Sequence, residues 1–469
     1  MKKILCFLLV TVLVLSLCAC GGSEEQSKET ASLQVGFGRA DITPTSPMPL
    51  SGYGQSEKRL HANVLDKLYA TCLAITDETG ETVLLFSADL IGSDKHNDIR
   101  PMVAQATGVP QDHIIFATTH THSSVEMSSP TAYGWLSTLF AKCVEAAQAA
   151  LEDRTDAEIY VGSAKTEHMN FVRHYLMNDG TYAGDNFGIW DSGIKDHASE
   201  NDPEVQVVKF VRPAEDKKDI ILTNFQGHPC ITGGIDKTDM SADYIGGTRT
   251  YIEYQTKDLF IFFLGASGNQ NVKTYMPNEP APPTDHNAYG MQLGQVIESV
   301  LNGEMTKVEG TKISCTEYVF TGDVDHSKDH MVADALRVQE LYNQTDRETG
   351  NKLAWELGFT SVYEAGGVLY KSGLDATIDM PIYAISVGGL SFAIAPYEMF
   401  ADHGMYIKEN SPAAMTIIST CTNGSYGYIP TNLAYDYVCY ESTTGRFARG
   451  TGDILAEKYV ELLKAHRAS

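Results

Sequence analysis

Two histidines separated by a single residue come directly after a short apolar run, Ile114–Ala117, which predicts a buried strand. They are His120 and His122, in the stretch Thr119–Ser123. Imidazole nitrogens are common zinc ligands, and a strand that runs into such a pair points both rings to one side. A further histidine, His228, also follows a predicted strand. Each is compatible with a structural role in a loop. Together they favour a metal centre, because a metal ion needs three or four converging ligands.

Side chains with oxygen donors follow other apolar segments. Glu398 ends an apolar stretch, and Tyr428 lies in a turn-rich loop crowded with aromatic residues. Taken singly, they are more typical of a strand-end carboxylate and a packed tyrosine than of metal ligands. Asp89 lies at the end of the predicted strand Val83–Ala88, where it would either orient a histidine or serve a structural role.

The elements that must position these side chains alternate between strands and helices from residue 33 onward, with no linker-like boundary. We therefore predict an α/β fold, a single large mixed α/β catalytic domain with the metal site at strand ends. The predicted segments are the strands Val83–Phe86, Ile114–Ala117, Val205–Phe210, Ile220–Thr223, Leu259–Leu264, Ile382–Val387 and Ser391–Ile394, the helices Ser137–Leu151 and Ile454–Leu463, a surface helical region at Asp329–Leu357, and a long loop at 277–287.

The N-terminus predicts export. Two lysines precede the apolar run Ile4–Leu17, which is too short to span a bilayer comfortably and is typical of a signal peptide. A small residue then precedes Cys20, as in a bacterial lipoprotein box; an ordinary cleaved signal is the alternative. We predict a lipoprotein signal peptide at 1–19, lipidation of Cys20, a flexible tether at 20–32 and a folded domain at 33–469. The protein would be anchored at the extracellular face of a bacterial cell membrane.

Composition excludes several classes of partner. The chain has 469 residues, a globular composition and a formal net charge of -25. Such a charge repels phosphate backbones, so we expect no nucleic-acid binding, and nothing in the sequence indicates a protein partner. Six cysteines lie beyond the N-terminal segment without any CxxC pair, so they form either disulfides or free thiols; they are Cys72, Cys143, Cys230, Cys315, Cys421 and Cys439.

The motifs occur in an order that resembles the neutral, or alkaline, non-lysosomal ceramidases, over roughly residues 33–465. The co-occurrence of the segments is far more specific than any one of them. The segments that carry the resemblance are Val35–Pro44, Gly52–Gly54, Thr119–Ser123, Asp202–Val205, Gly227–His228, Pro396–Glu398, Tyr428–Thr431 and Tyr440–Glu441.

This resemblance implies a zinc amidase that cleaves the N-acyl bond of ceramide into sphingosine and a fatty acid. Water bound to a single zinc ion would attack the amide carbonyl, because zinc lowers the pKa of bound water toward neutrality. The implied site consists of the zinc ligands His120, His228, Glu398 and Tyr428, of His122 beside the metal as a proton-transfer residue or a support for a ligand, and of the active-site residues Arg173 and Tyr440, which could donate hydrogen bonds to the oxyanion.

Two departures from the family affect the predicted chemistry. A serine proposed as the family's nucleophile falls at Asn271 here, and Ser267 lies four residues earlier in a glycine-rich loop. Larger members continue into an immunoglobulin-like domain that is expected to be missing, and its loss would open the site to other lipid amides or smaller N-acyl compounds. The alternatives are a zinc hydrolase of the same fold acting on other N-acyl amides or esters, and a non-catalytic solute-binding lipoprotein.

Overall fold

The computed structural model describes residues 32–53, 56–184 and 193–468. The predicted signal peptide at 1–19, the lipidation site Cys20 and nearly all of the predicted tether at 20–32 lie outside these residues. From Ser32 onward the chain forms one unit. No helix among the described residues is long and apolar enough to cross a membrane.

Strands and helices alternate along the described chain. The strands are β1 (Gln34–Asp41), β2 (Asn63–Val64), β3 (Tyr69–Thr76), β4 (Thr82–Ala88), β5 (Ile114–Thr118), β6 (Thr155–Asp156), β7 (Glu158–Lys165), β8 (Phe171–Val172), β9 (His174–Met177), β10 (Tyr182–Gly184), β11 (Ile194–His197), β12 (Glu204–Val211), β13 (Ile220–Phe225), β14 (Asp239–Met240), β15 (Leu259–Leu264), β16 (Gln270–Asn271), β17 (Thr306–Lys307), β18 (Ile313–Asp323), β19 (Thr377–Val387), β20 (Leu390–Ile394), β21 (Glu398–Met399), β22 (Met415–Ser419) and β23 (Tyr428–Ile429). The helices are α1 (His96–Thr107), α2 (Tyr133–Glu152), α3 (Tyr244–Thr256), α4 (His286–Leu301), α5 (Val332–Gln344), α6 (Arg347–Glu356), α7 (Val362–Ser372), α8 (Ala401–Asn410), α9 (Asn432–Tyr437), α10 (Tyr440–Thr444) and α11 (Thr451–Ala468).

Three larger sheets make up the centre of the described structure. Their strand orders are β5-β4-β3-β1-β6, β15-β13-β12-β7-β17 and β18-β19-β20-β22. The inner faces of all three sheets contribute to one apolar cluster, represented by Leu85, Phe263 and Phe392. The outer faces are covered by α1 and α2, by α3 and α4, and by α8 and α11 respectively. Because both faces of the central strands are buried, these strands are almost continuously apolar.

Each of the three sheets contains one pair of parallel neighbours. The pairs are β4–β5, β13–β15 and β20–β22, and the remaining neighbours in these sheets are antiparallel. Ligand sites of α/β proteins form outside the carboxyl ends of such strands. The segments that follow these strands carry His120, His228, Glu398 and Tyr428, the last two in the short strands β21 and β23. The predicted fold class, a single mixed α/β domain with candidate site residues at strand ends, is confirmed.

The apolar segments predicted from sequence fall within β4, β5, β12, β13, β15, β19, β20, α2 and α11. Two segments differ in detail. The surface helical region at Asp329–Leu357 is divided into α5 and α6, because Asp346 caps a new helix by accepting a hydrogen bond from the backbone N–H of Thr349. The predicted loop at 277–287 ends early, because Asp285 caps α4 in the same way. All six described cysteines are free thiols.

The helices α5, α6 and α7 form a layer with its own apolar cluster, which includes Val338, Phe359 and Val362. Lys328 and Lys371 each form an ion pair at this layer, with Glu364 and Asp325 respectively. Helix α7 packs against α10, and the ring of Tyr363 meets the ring of Tyr440 edge-on at 5.6 Å between centroids. This helical layer therefore supports the segment that carries a predicted site residue.

Strand β1 lies directly against α2, and two glycines make this approach possible. A Cβ added at Gly38 would lie 2.0 Å from the carbonyl oxygen of Ala146, and one at Gly36 would lie 2.1 Å from that of Ala150. Both contacts are with helix backbone, which cannot move aside as a side chain can. The first sheet can therefore pack on its helix only if these two positions lack a side chain.

We expect Gly38→Ala to lower the free energy of unfolding by at least about 3 kcal/mol, because α2 would have to shift off the sheet. Gly134→Ala is the matched control, since no atom lies within 4 Å of a Cβ added there and α2 already includes the position. It should raise stability by up to about 1 kcal/mol. Guanidinium unfolding of both variants measures the difference, and equal stabilities would contradict the close packing of β1 on α2.

Candidate metal centre

Three imidazole rings converge at the strand ends where the sequence predicts a metal centre. Nε2 of His122 lies 3.3 Å from Nε2 of His120 and 2.9 Å from Nε2 of His228. The ligand atoms of all three residues lie within 4.8 Å of one another, and the rings meet edge-on. His120 and His228 are buried, and His122 is partly exposed. The structure therefore brings together the histidines of two motifs separated by more than a hundred residues.

The first two rings are placed by a turn rather than by an extended strand. Strand β5 ends at Thr118, and His120 adopts a left-handed conformation with φ 62. For a residue other than glycine, such a conformation costs on the order of 1–3 kcal/mol and is concentrated at functional sites. Hydrogen bonds hold it: the backbone N–H of His120 donates to Leu90, and Nδ1 lies 2.6 Å from the carbonyl oxygen of Ile91. The ring of His122 lies against the backbone of Gly52, where an added Cβ would approach it to 2.7 Å.

The third ring is fixed by the loop after β15. The backbone N–H of His228 donates to the carbonyl of Gln270 at 3.3 Å, and its Nδ1 lies 3.3 Å from the carbonyl oxygen of Ser267. With Nδ1 donating to a carbonyl in both residues, Nε2 of the neutral His228 presents a lone pair to the centre of the cluster, and Nε2 of His120 does so once its second proton is displaced. Such carbonyl partners orient histidine ligands in metalloproteins.

The protonation of the cluster suits a cation. Burial lowers the pKa of His122 and His228 well below the usual imidazole value, and the positive charges of His120 and Arg173 lower both further. Burial opposes ionisation of His120 as well, but Cys421 and Glu398 raise the pKa of His120 well above its usual range. Two rings are therefore neutral, and a bound cation would displace the proton of the third.

Glu398 and Tyr428 lie side by side at the same cluster. They are direct partners in the short parallel pairing of β21 with β23. Oε2 of Glu398 lies 3.3 Å from Nε2 of His120, yet it is buried and accepts no aligned hydrogen bond from any described residue. Burial and the neighbouring Glu398 raise the pKa of Tyr428 well above its usual value. A carboxylate oxygen thus lies beside the histidine cluster, and the residue that pairs with this carboxylate carries a phenol.

These residues fit a zinc ion. Three imidazole nitrogens and one carboxylate oxygen match the N- and O-donor sets that hold Zn²⁺, which takes three or four protein ligands. Oε2 of Glu398 has no aligned hydrogen-bond donor, and the Nε2 atoms of His122 and His228 face each other at 2.9 Å, as expected for groups that bind a cation. By its geometry His122 belongs with the ligands as much as His120 and His228 do, whereas the sequence resemblance gives it a proton-transfer role.

The two remaining predicted site residues lie beside this cluster. Arg173, between β8 and β9, has its guanidinium carbon 5.6 Å from the ring centroid of Tyr428. Its positive charge lowers the pKa of His122 and His228, which places it within electrostatic reach of both. Tyr440 begins α10, with its ring 5.9 Å from that of Tyr428, and burial raises its pKa to about 12. It is therefore a protonated hydrogen-bond donor at neutral pH.

One sequence-based alternative is decided by the structure. Asp89 does not orient a histidine: both of its oxygens accept from Arg249 at 2.8 Å, and one also accepts from the backbone N–H of Tyr69. Its second proposed role, a structural one, is therefore correct. Its carboxylate is already paired with a buried arginine, and the sequence around a carboxylate at a strand end does not indicate such a partner.

Sequence reasoning missed two groups that contact the site residues. Sγ of Cys421 lies 3.4 Å from Nδ1 of His120, on a left-handed residue after β22. The carboxylate of Glu441, fully buried, binds Arg173 at 2.5 Å. Glu441 was visible only as part of the Tyr440–Glu441 motif. No local pattern indicated either contact, since both partners come from distant parts of the chain.

Fold and site together define a mixed α/β protein with a candidate metal centre at the carboxyl ends of its parallel strands. No protein-family profile and no curated protein matches the sequence. Solved structures do match the fold. Neutral ceramidase from Pseudomonas aeruginosa superposes with a TM-score of 0.69 and 14% identity, over 93% of this chain and 75% of that chain. A ceramidase complexed with C2 gives 0.66 and 15%, over 93% and 76%. The predicted resemblance to neutral ceramidases is confirmed at the level of the fold.

We expect His120→Ala and His228→Ala each to abolish zinc retention after dialysis, because the remaining donors no longer close the site. His122→Ala should also weaken retention, since its Nε2 lies in the same cluster. Metal content by atomic absorption measures all three, with His326→Ala, which pairs with Asp329 on the surface, as the control. Full zinc occupancy in His122→Ala would leave that residue the proton-transfer role instead.

Proposed function

We propose that this chain is a ceramidase-like, zinc-dependent amidohydrolase. Its substrate would be ceramide or a related N-acyl lipid, cleaved at the amide into an amine, sphingosine for ceramide, and a fatty acid. One observation carries the proposal: three histidine side chains converge at strand ends, with Glu398 3.3 Å from His120, in a fold shared with two solved ceramidases. Fold likeness alone would not suffice, because one fold hosts many functions.

The residues divide into a metal-holding set and a set that acts on substrate. His120, His228, Glu398 and Tyr428 would hold the zinc ion, one per chain, with His122 beside or among them. When bound, zinc polarises an amide carbonyl and lowers the pKa of water toward neutrality. An amide nitrogen is a poor leaving group unless it is protonated, and the partly exposed His122 is suited to carry that proton.

Arg173 and Tyr440 are suited to stabilise the carbonyl oxygen as it becomes negative. Arg173 keeps its positive charge, and the raised pKa of Tyr440 keeps its phenol protonated. Both face Tyr428, on the side of the site next to Glu398. Donors that are already in place before the reaction contribute more than donors that must reorganise, because the site is screened from water.

The serine positions support attack by water rather than by a side chain. Asn271 stands where the family's serine falls, and its Oδ1 accepts from the backbone of Val272 and from the thiol of Cys230. Oγ of Ser267 is fully buried and has no hydrogen-bond partner among the described residues. A hydroxyl needs a neighbouring base to act as a nucleophile. Ser267 has none in that position.

We further infer, from sequence, that the protein is exported and held by a lipid on Cys20 at the extracellular face of a bacterial cell membrane. A lipid anchor would keep the enzyme at the surface where an N-acyl lipid is found. Metabolic labelling with a fatty-acid probe tests it: label is expected on the wild-type chain and absent from Cys20→Ala.

The zinc-loaded protein is expected to release free amine from short- and long-chain ceramides in detergent micelles. A panel that adds N-acyl amino acids, N-acylethanolamines and matched esters defines the substrate class, with His228→Ala as the blank. Preference for another amide or for an ester would replace ceramide by that substrate within the same mechanism. Tight binding of a panel member without turnover, in a protein that lacks zinc, would favour the solute-binding alternative and overturn the proposal.

Two hydroxyl deletions distinguish the mechanisms. Ser267→Ala should keep activity within a few fold and leave stability unchanged or slightly raised, because it removes a buried, unpaired hydroxyl. Tyr440→Phe should lower kcat by roughly 10²–10³ with a smaller change in KM, because a donor to the oxyanion acts chiefly in the transition state. Mass spectrometry during turnover of a slow substrate completes the test. An acyl adduct on Ser267 would rule out direct attack by water.

A further inference from the structure

A buried chain of charged groups lies behind Arg173. Its Nε donates to Oε1 of Glu441 at 2.8 Å, one terminal nitrogen lies 2.5 Å from the same oxygen, and that nitrogen also donates to the carbonyl of Gly268 at 3.0 Å. The backbone N–H of Arg173 donates to the carbonyl of Asn269. The guanidinium is thereby held from two directions. Glu441 and Arg173 are both almost entirely excluded from solvent.

His174 connects this carboxylate to a second element. Its Nε2 lies 2.8 Å from Oε2 of Glu441, and its Nδ1 lies 2.7 Å from the hydroxyl of Tyr437. The two partners occupy opposite ends of one imidazole ring. Because Tyr437 ends α9 and Glu441 lies in α10, the ring bridges two short helices. The ring of Tyr437 in turn stacks on that of Tyr182 at 4.7 Å.

The backbone between the two helices is strained in a way that suits this bridge. Val438 has φ 54, in the left-handed region, where a β-branched residue is a genuine outlier. This turn lets Tyr437 and Glu441 approach the same imidazole from both ends, while Tyr440 lies against Tyr428. Strain of this kind persists only where surrounding contacts enforce it, and it is concentrated at functional sites. The bridge by His174 supplies such contacts.

The charged groups behind Arg173 stabilise one another without a metal ion. Burial would raise the pKa of Glu441, but Arg173 and His174 hold it well below its usual range. Burial would lower the pKa of His174, but Glu441 and Cys439 raise it well above the usual value. The donor atoms of His174, Cys439 and Glu441 lie close enough to bind a cation. However, both carboxylate oxygens of Glu441 already have partners, Oε1 in the guanidinium of Arg173 and Oε2 in the imidazole of His174.

We propose that Glu441 and His174 are positioning residues that fix the Arg173 guanidinium and the Tyr440 phenol beside the candidate metal centre. The inference rests on the proposed function, in which these two donors stabilise the developing oxyanion. The positive charge of Arg173 reaches His122 and His228, so these rings do not hold the guanidinium in place. The Glu441 carboxylate, braced by His174 and Tyr437, supplies the compensating negative charge.

Glu441→Gln should lower kcat by about 10- to 100-fold with little change in KM and with zinc content intact, because it loosens Arg173 without touching a metal ligand. Tyr437→Phe, a milder change that keeps the stacking ring, should lower kcat by about 2- to 10-fold. The double variant Arg173→Ala/Glu441→Gln should be no slower than Arg173→Ala alone, because residues that act through one another are not additive.

Asp153→Asn is the matched control. Asp153 also pairs with a buried arginine, Arg212, and with Lys217, at the end of α2. It should lower the melting temperature to a degree comparable with Glu441→Gln but leave kcat unchanged. If Asp153→Asn and Glu441→Gln lower both quantities alike, Glu441 has only a structural role. Additive losses in the double variant, or two zinc ions per wild-type chain with one lost in Glu441→Gln, would also overturn the proposal.

A binding measurement separates this inference from the proposed function. Dodecylphosphonate, which carries a tetrahedral anion and an alkyl chain, should bind the zinc-loaded wild-type protein, and Arg173→Ala and Glu441→Gln should each weaken its Kd by about 10-fold, again without additivity. If no N-acyl substrate is hydrolysed while these Kd changes hold, the proposed function fails and the positioning role stands. If hydrolysis proceeds and Glu441→Gln alters neither kcat nor Kd, the positioning role fails alone.

Discussion

Three imidazole nitrogens cannot direct lone pairs at one another in a buried site unless a cation or a shared proton lies between them. The Nε2 atoms of His120, His122 and His228 are in this arrangement, at 2.9 and 3.3 Å from neighbour to neighbour. Other features of the centre follow from that constraint. Backbone carbonyls hold the outer nitrogens of His120 and His228, so the inner ones stay free. Glu398 stands beside His120 because a cluster that attracts a cation also needs a negative partner.

The fold meets this constraint by ending parallel strands at one place. Each of the three central sheets contributes one parallel pair, and the loops beyond them carry the donors. Rigid strands with both faces buried can tolerate strained loops at their ends, because the apolar core contributes far more free energy than the loops cost. The left-handed residues His120, Cys421 and Asn423 lie at such ends. Asn423 also ties two of the sheets together, since its Oδ1 accepts from the backbone N–H of Phe116 in β5.

The sequence predicts those parts of the molecule that have a local cause. Leu259–Leu264 matches β15 residue for residue, because a doubly buried strand is a continuous apolar run. Strand β1 was not predicted, because Gly36 and Gly38 interrupt its apolar pattern. Both positions lack a side chain because the backbone of α2 lies directly against them. Helix α1 contains Pro101, which ordinarily argues against a helix interior. Such elements are stabilised by packing against distant neighbours rather than by their own residues.

The candidate site divides along the same line. The spacing of His120, His122 and His228 and their positions after strands indicate a metal site. In contrast, Cys421 contacts His120 from 301 residues away, and Glu441 contacts Arg173 from 268 residues away. Resemblance to a family compensates for part of this, because matching motifs assign Glu398, Tyr428, Arg173 and Tyr440 to one site. It did not indicate how an arginine can remain beside three imidazoles. The answer lies in the carboxylate of Glu441, which contacts the guanidinium of Arg173 only in the folded structure.

The acidic partner of Arg173 explains how positive and negative groups share this site. A guanidinium whose charge reaches His122 and His228 would repel a metal ion at the histidine cluster and would oppose protonation of these two rings. A fully buried carboxylate within 2.5 Å of the guanidinium reduces that repulsion and leaves the donor able to meet a developing negative charge. Glu441 is itself held by His174. The imidazole fixes the position of the carboxylate, as the carboxylate fixes the position of the guanidinium. The electrostatics of the centre therefore extend one layer beyond the residues that would touch a substrate.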